Sequence, residues 1–348
     1  MALYDIEKTR KFCIDVSMKS GMGIKEAELF SDTLISAQMR GIHSHGIRRL
    51  RHYTMRLGKG LVKPGAVPSI IQESPATLLI DGNDGMGCWI AAQVMNICMD
   101  KAEVSGCCFA AVNHCNHFGM AAYYTLQAAN RGMIGIAMSN TYATTVPIGG
   151  KKPMLGTNPL SVAIPSRKYP PLVLDMATSV VAKGKVIQAA KEGKSIPIGW
   201  GVDAEGNDTT DPNAIINGGS MLPFGGVKGY AISFIIDILC TALSGASDTL
   251  HAIDFWDNDN KQNLGFFIGA FNIKSFLSME EYYSRVDEML ENMKNTPPAK
   301  GFSRVYIPGE LEQIKYDEAV IKGIEISDVV IEDLVELGKE YGVRWPFD

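Results

Sequence analysis

From Ile6 to Leu57 the apolar residues recur at intervals of three and four, the period of a helix, and Gly21 and Gly23 interrupt the run before Lys25-Glu-Ala-Glu-Leu-Phe30 restarts it. The spacing predicts successive helices. Glycine and proline between positions 58 and 68 predict a linker, after which residues 76–81 read as a strand closed by the turn Gly82-Asn-Asp-Gly85. Between 89 and 140 the pattern alternates: helix 90–105, strand 107–112, a histidine-bearing loop, helix 120–131, strand 133–138. That alternation is an α/β signature. Further strands are expected at 160–164 and 172–175, a turn-rich excursion at 200–212 and a helix at 279–293. The tail at 310–337 has two more helical patterns, expected to return and pack on the N-terminal helices.

The densest apolar stretch, residues 230–244, lies between Gly229 and Gly245 and contains Asp237. A membrane span needs about 20 apolar residues, so this stretch predicts a buried core helix instead. The chain of 348 residues is 46% hydrophobic and 20% charged, enough for one large core or two moderate ones. Its net charge of −5 and scattered lysines argue against nucleic acid as a partner, and no membrane association is expected. Seven cysteines, odd in number and without CxxC spacing, predict free thiols rather than a disulfide framework or a zinc ribbon. The first ten residues lack the apolar core of a signal peptide, so the expected location is cytoplasmic.

Five of the six histidines fall in two clusters: His43, His45 and His52 in and just after Gly41-Ile-His-Ser-His-Gly-Ile-Arg-Arg-Leu50, and His114 and His117 in Asn113-His-Cys-Asn-His-Phe-Gly119. Imidazole suits proton transfer or metal ligation, and the adjacent Arg48 and Arg49 add anion-binding capacity. These features predict an enzyme acting on a small anionic substrate. On a helix Arg49 and Tyr53 share a face, where they would grip one carboxylate while His45 reaches the neighbouring oxygen; a helix-capping Ser44 followed by solvated arginines is the alternative. Zinc held by His43, His45, His114 and His117 is a further alternative. It lacks a nearby carboxylate ligand, an HExxH motif or a cysteine pair, so no metal is expected and His43 and His114 read as incidental.

No GxGxxG follows a strand and there is no GxxxxGK[ST], so neither a standard Rossmann unit nor an ATP- or GTP-type phosphate loop is indicated. Residues 155–160 and 173–179 instead end apolar strands in small hydroxyl and amide residues, a pattern that ordinary turns share. Lys228, with the glycines around it, sits at an expected helix start, a natural anion site.

Taken together, Arg40-Gly-Ile-His-Ser-His-Gly-Ile-Arg-Arg-Leu50, Asn116-His-Phe-Gly119, Gly156-Thr-Asn-Pro159, Asp175-Met-Ala-Thr-Ser179, Pro223-Phe-Gly-Gly-Val-Lys-Gly-Tyr230, Asn263-Leu-Gly265 and Ile307-Pro-Gly-Glu310 resemble the malate/L-lactate dehydrogenase family. This family is distinct from the malate and lactate dehydrogenases built on the Rossmann fold, and it includes sulfolactate, ureidoglycolate and diketogulonate oxidoreductases. The resemblance covers nearly the whole chain. It implies an α/β fold with a non-Rossmann mixed sheet and flanking helices, like that of L-sulfolactate dehydrogenase. A mainly helical domain (1–72 with 296–348) would accompany an α/β nicotinamide-binding domain (73–295). It also implies a homodimer and NAD as cofactor, with NADP as the alternative.

Carried over by position, the resemblance implies His45 and His117 as joint candidates for the acid/base, Arg49 as the carboxylate clamp and Tyr53 beside it. Cofactor contacts would fall on Asn158, Asp175, Met176, Ala177, Thr178, Ser179, Lys228, Gly229, Gly309 and Glu310. The expected activity is hydride transfer between the nicotinamide and a 2-hydroxy acid, with malate first. Lactate, sulfolactate, ureidoglycolate or diketogulonate dehydrogenase, cyclic imine reductase, and a catalytically silent binding protein are the alternatives. The sequence departs from many relatives at Arg48-Arg49-Leu50-Arg51; an inward Arg48 or Arg51 would favour a doubly charged substrate.

Overall fold

The computed structural model describes residues 2–347. The chain opens with β1 (Ala2–Tyr4), α1 (Ile6–Lys19) and α2 (Ile24–Met39), followed by two single 3-10 turns, His43–His45 and Ile47–Arg49, and α3 (Leu50–Gly58). Next come β2 (Ser69–Glu73), β3 (Thr77–Asp81), α4 (Gly87–Ser105), β4 (Cys107–Cys115), α5 (Ala122–Asn130), β5 (Met133–Ser139), β6 (Leu160–Ile164) and β7 (Leu172–Met176). A smaller excursion holds α6 (Lys183–Lys191), β8 (Gly201–Val202), α7 (Pro212–Ile216) and β9 (Ser220–Met221). The remainder is α8 (Val227–Cys240), β10 (Leu264–Asn272), α9 (Met279–Lys294), α10 (Glu310–Lys322), β11 (Ile324–Ile326) and α11 (Asp328–Tyr341).

Seven strands form one mixed sheet in the order β2-β3-β4-β10-β5-β6-β7. Only β3 and β4 are parallel, joined by the crossover helix α4, and every other neighbour is antiparallel. A parallel pair needs such a crossover, whereas antiparallel neighbours do not. The central strand β10 was not foreseen: Leu264–Asn272 is apolar almost throughout and broken by Gly265 and Gly269, so it shows no alternation. Strands buried on both faces read this way, and Phe266, Ile268 and Ala270 have no exposure. The edge strand β2, the short β1 and β11, and α6 were also absent from the sequence reading.

The expected helices at the N-terminus form as the periodicity indicated. Asp5 caps α1 by accepting from Lys8 N at 2.8 Å. The tail does return: β1 pairs antiparallel with β11, and the buried Trp345 meets Phe12 edge-on with ring centroids 4.8 Å apart. One continuous core runs from Phe12 and Val16 on α1 through Ile90 and Val94 on α4 to Ile268 on β10.

The stretch at 230–244 requires a correction. It is helical, but α8 buries Gly229, Ser233, Ile236, Asp237 and Cys240 and turns Val227, Phe234, Ile235, Ile238 and Leu243, the last just past its end, outward at 45 to 64% exposure. Its small and polar side chains face the sheet: Asp237 receives the Thr249 hydroxyl, and the carbonyl of Ser233 accepts from Asn158 Nδ2 at 3.1 Å. Among the described residues no helix is long and apolar enough to cross a membrane.

Candidate active site

The first histidine cluster is held where α2 ends. Gln38, in the last turn of α2, donates from Nε2 to the carbonyl of Glu325 at 2.6 Å and meets His43 Nδ1 at 2.8 Å, which ties His43 to β11 and away from the second cluster. The 3-10 turn that follows brings Ser44 Oγ to 2.9 Å from His45 Nδ1. Ser44 therefore partners an imidazole rather than capping a helix. Arg49 folds back, donating from Nε to the carbonyl of Ser44 at 2.7 Å, while its guanidinium lies over Trp256 at 4.6 Å and Phe255 at 4.9 Å. Its Nη1 is buried and has no hydrogen-bond partner. A buried, unpaired guanidinium N–H is costly unless something accepts from it, so this atom marks a place for an anion.

His117 arrives from the end of β4. A Cβ on Gly87, the first residue of α4, would strike the carbonyls of Asn116 and His117, so glycine is required for the helix to approach that segment. Asn116 Nδ2 holds the carbonyls of Asp84 and Gly85 at 3.1 and 3.0 Å, and His117 N donates to Gln262 Oε1 at 2.9 Å. The Tyr53 hydroxyl from α3 lies 2.5 Å from His117 Nδ1, toward which Gly119 N–H also points at 3.4 Å. The His45 and His117 rings stack with centroids 5.5 Å apart and planes 12° from parallel.

Burial, aided by the Arg49 cation, pushes His45 down from 6.5 to about 4; burial also holds His117 well below its ordinary value, with His45 and Arg49 contributing. Both imidazoles are therefore neutral near pH 7. With Nδ1 of His117 facing two donors, its proton sits on Nε2 and the ring presents an N–H. His45 faces a serine hydroxyl that either donates or accepts, so its Nε2 is able to gain or lose a proton.

The segment from Asp254 to Gln262, which sequence reasoning passed over, forms a wall of this site. His52 and Arg56, both on α3, are spent on holding it: His52 Nε2 contacts the carbonyl of Phe255, and Arg56 reaches the carbonyls of Asp257 and, at 3.0 Å, Asn260. Phe255 in turn packs on the His117 ring at 4.7 Å. The signal was present as an aromatic pair inside an otherwise polar stretch. Lys183 Nζ donates to the Tyr142 hydroxyl at 3.1 Å, and Tyr142 and Asp254 act electrostatically on Arg49. His114 stands apart, half exposed and 3.0 Å from Asp81.

Neither extra arginine turns inward. Arg51 is bound to Asp333, Glu336 and Glu340 on α11, and Arg48 is exposed.

The expected cofactor residues divide in two. Asp175 and Gly309 line a cleft of about 180 Å3 together with Arg40, Ile42, Ala122, Val173, Leu174 and Glu312. Gly309 has φ +84°, and a Cβ there would crowd Val173. Burial pushes Asp175 up to about 7, although it accepts from Ala122 N at 3.1 Å. Arg40 lies over Tyr316 at 4.9 Å with its Nε buried and unpaired. A free guanidinium N–H and a carboxyl on the verge of titration, side by side, fit the polar groups of a nucleotide cofactor.

Met176 and Ala177 continue from Asp175 and are half-buried. Asn158, Thr178 and Ser179 are buried and engaged within the protein: Asn158 Oδ1 accepts from Thr141 N at 3.0 Å, Thr178 Oγ1 donates to Thr157 O at 3.0 Å, and Ser179 Oγ donates to Val181 O at 2.8 Å. Glu310 is paired with Lys294 at 2.6 Å and Arg304 at 3.3 Å, and also accepts from Ile307 N. Lys228 is exposed at the start of α8, and Gly229 packs against the Phe224 carbonyl. A larger cleft of about 550 Å3, between α1 and the turn after α11, shares no residue with either site.

The sequence profile described as malate/L-lactate dehydrogenase matches residues 4–335. The chain is 37% identical over 340 residues to the malate dehydrogenase of Pyrococcus abyssi, covering 96% of this chain and 93% of that one. It is 37% identical over 338 residues to the L-sulfolactate dehydrogenase of Methanocaldococcus jannaschii, covering 97% of each. The solved structure of the sulfolactate dehydrogenase from Methanocaldococcus jannaschii superposes with a TM-score of 0.93 over 99% of this chain and 98% of that one, at 36% identity. That of the malate dehydrogenase from Entamoeba histolytica superposes with 0.94 over 99% of each, at 32% identity. A mixed, mainly antiparallel sheet, a histidine pair beside Arg49, and agreement over nearly the full length place the chain in the malate/L-lactate dehydrogenase family, as a nicotinamide-dependent 2-hydroxy acid dehydrogenase.

Proposed function

We propose that the protein interconverts malate and oxaloacetate with NAD. The observation that carries this reading is the stacked His45–His117 pair beside Arg49, whose buried Nη1 lacks an acceptor. A bound nicotinamide would supply the acceptor for hydride leaving C2 of the hydroxy acid and the donor for the reverse reaction. Arg40, Asp175 and Gly309, which line one cleft, would hold that cofactor.

The rest of the chemistry belongs to the chain. Arg49 takes the substrate carboxylate through Nη1, fixing C2 beside the imidazoles. The His117 N–H, oriented by Tyr53, donates to the C2 oxygen and polarises it. His45 removes the hydroxyl proton during oxidation and returns it during reduction. Arg49 lowers both imidazole pKa values, so a carboxylate that neutralises Arg49 lets His45 hold a proton more readily. Substrate binding and protonation of the acid are thereby coupled.

The helical unit 1–72 with 296–348, the α/β unit 73–295, and assembly as a homodimer through the apolar face of α8 complete the proposal. A cytoplasmic location suits seven free thiols. The test is loss of reduced-nicotinamide absorbance with the purified protein, NADH or NADPH, and oxaloacetate, pyruvate, 2-oxoglutarate, sulfopyruvate and a cyclic imine in parallel. Fastest oxidation of NADH with oxaloacetate is expected. Turnover with another acid alone would replace the substrate, and no turnover with any would overturn the reading in favour of ureidoglycolate or sugar-acid chemistry or a silent pocket.

A further inference from the structure

We infer that Trp256 is a positioning residue for the acid: its indole holds the Arg49 guanidinium so that the edge of that group, not its face, meets the substrate carboxylate. The inference rests on the dehydrogenase reading and adds to it the residue that sets the orientation of the clamp.

A guanidinium is planar, and its five N–H groups point outward in that plane. Arg49 commits one of them within the protein, Nε to the carbonyl of Ser44 at 2.7 Å, which anchors the near end of the group but not the far end. The far end lies over two rings, 4.6 Å from the centre of Trp256 and 4.9 Å from that of Phe255. Those rings are 5.3 Å apart and inclined at 69°, so they form a corner in which a planar group is restrained from swinging. Aromatic faces attract a cation without using any of its N–H groups. Nη1, buried and without a partner, is therefore left for an acceptor.

Trp256 is itself held in place. Its backbone N donates to Asp254 Oδ1 at 3.0 Å, and its ring meets that of His52 at 4.7 Å. The two rings of the corner differ in what else they do. Phe255 is 6% exposed and also packs on His52, Tyr53 and His117, so core packing accounts for it. Trp256 is 51% exposed. An indole with half its surface in water adds little to the core, and its contact with Arg49 is what its place in the wall provides.

The experiment is steady-state kinetics of the full-length enzyme with the acid that the unaltered enzyme turns over fastest, comparing W256F and W256L, with melting temperatures recorded for each. In W256L the KM for the acid should rise about two- to thirtyfold, the range of one cation–π contact, while the KM for the nicotinamide and the melting temperature stay near those of the unaltered enzyme. W256F, which keeps an aromatic face, should fall between the two. R49A and R49A/W256L, assayed at high enzyme concentration, should share one kcat/KM, because Trp256 acts through Arg49. An unchanged KM in W256L, equal KM values in W256F and W256L, or a further loss from W256L without Arg49 would overturn the inference while leaving the dehydrogenase reading intact. Inactivity of the unaltered enzyme toward every acid would overturn both.

Discussion

His45 and His117 carry the same side chain, yet their neighbours assign them different work. His117 faces Tyr53 and Gly119 donors on Nδ1, which commits it to presenting an N–H, whereas His45 faces an amphoteric serine. His45→Ala should therefore lower turnover by a factor on the order of 10² or more, the usual weight of a general acid/base. His117→Ala should also slow the reaction, but the ionisation seen in the unaltered enzyme's pH profile should vanish only with His45. In that profile, kcat/KM for hydroxy-acid oxidation should hold its plateau below 6.5 and fall only as pH approaches the value of about 4 at which His45 gains its proton. An inflection that stays near 6.5 would mean that His45 is not the base. These histidines and Arg49 were legible in the sequence because they are scarce residue types in one short motif. Phe255 was not, because it reaches the site from a distant loop and has an ordinary composition around it. Glu310 is a motif position whose carboxylate is paired with Lys294 and Arg304.

Elements set these side chains by how closely they pass one another. The start of α4 lies against the carbonyls of Asn116 and His117 with no room for a methyl group. Gly87→Ala must push the end of β4 outward or tilt α4, and overpacking of this kind costs about 1–3 kcal/mol. Denaturant unfolding should register that loss, and kcat should fall with it because the His117 ring moves away from His45. Stability and turnover both unchanged would show that the helix start yields freely. Amphipathic helices were readable from sequence because their period survives burial of one face. The central strand β10 was not, since a strand covered on both sides loses the alternation by which strands are recognised, and its glycines imitate turns. The pairing of β1 with β11 was invisible for another reason: three-residue strands more than 300 positions apart leave no local pattern.

For the whole molecule, the decisive element is α8. Hydrophobicity along a chain reports that a surface avoids water, not which surface covers it, so residues 230–244 read as core when half of that apolar character faces outward. The inward face explains the inversion: it turns the Ser233 carbonyl to Asn158 and the Asp237 carboxylate to Thr249, which leaves Val227, Phe234, Ile235 and Ile238 on the other side. Contiguous exposed apolar side chains on one helix mark an association surface, and a self-complementary helix face is what a two-fold dimer uses. A stable dimer buries on the order of 1,200 Å2 or more in total, so in the proposed dimer segments flanking α8 would join the interface. Ile235→Asp places a charge at the middle of this face without touching the buried one. Sedimentation should then show a species of half the mass of the unaltered protein, with the secondary structure retained. If the mass is unchanged, α8 is not the dimer contact. If the unaltered protein is itself monomeric, the exposed face must serve a different partner and the homodimer is withdrawn.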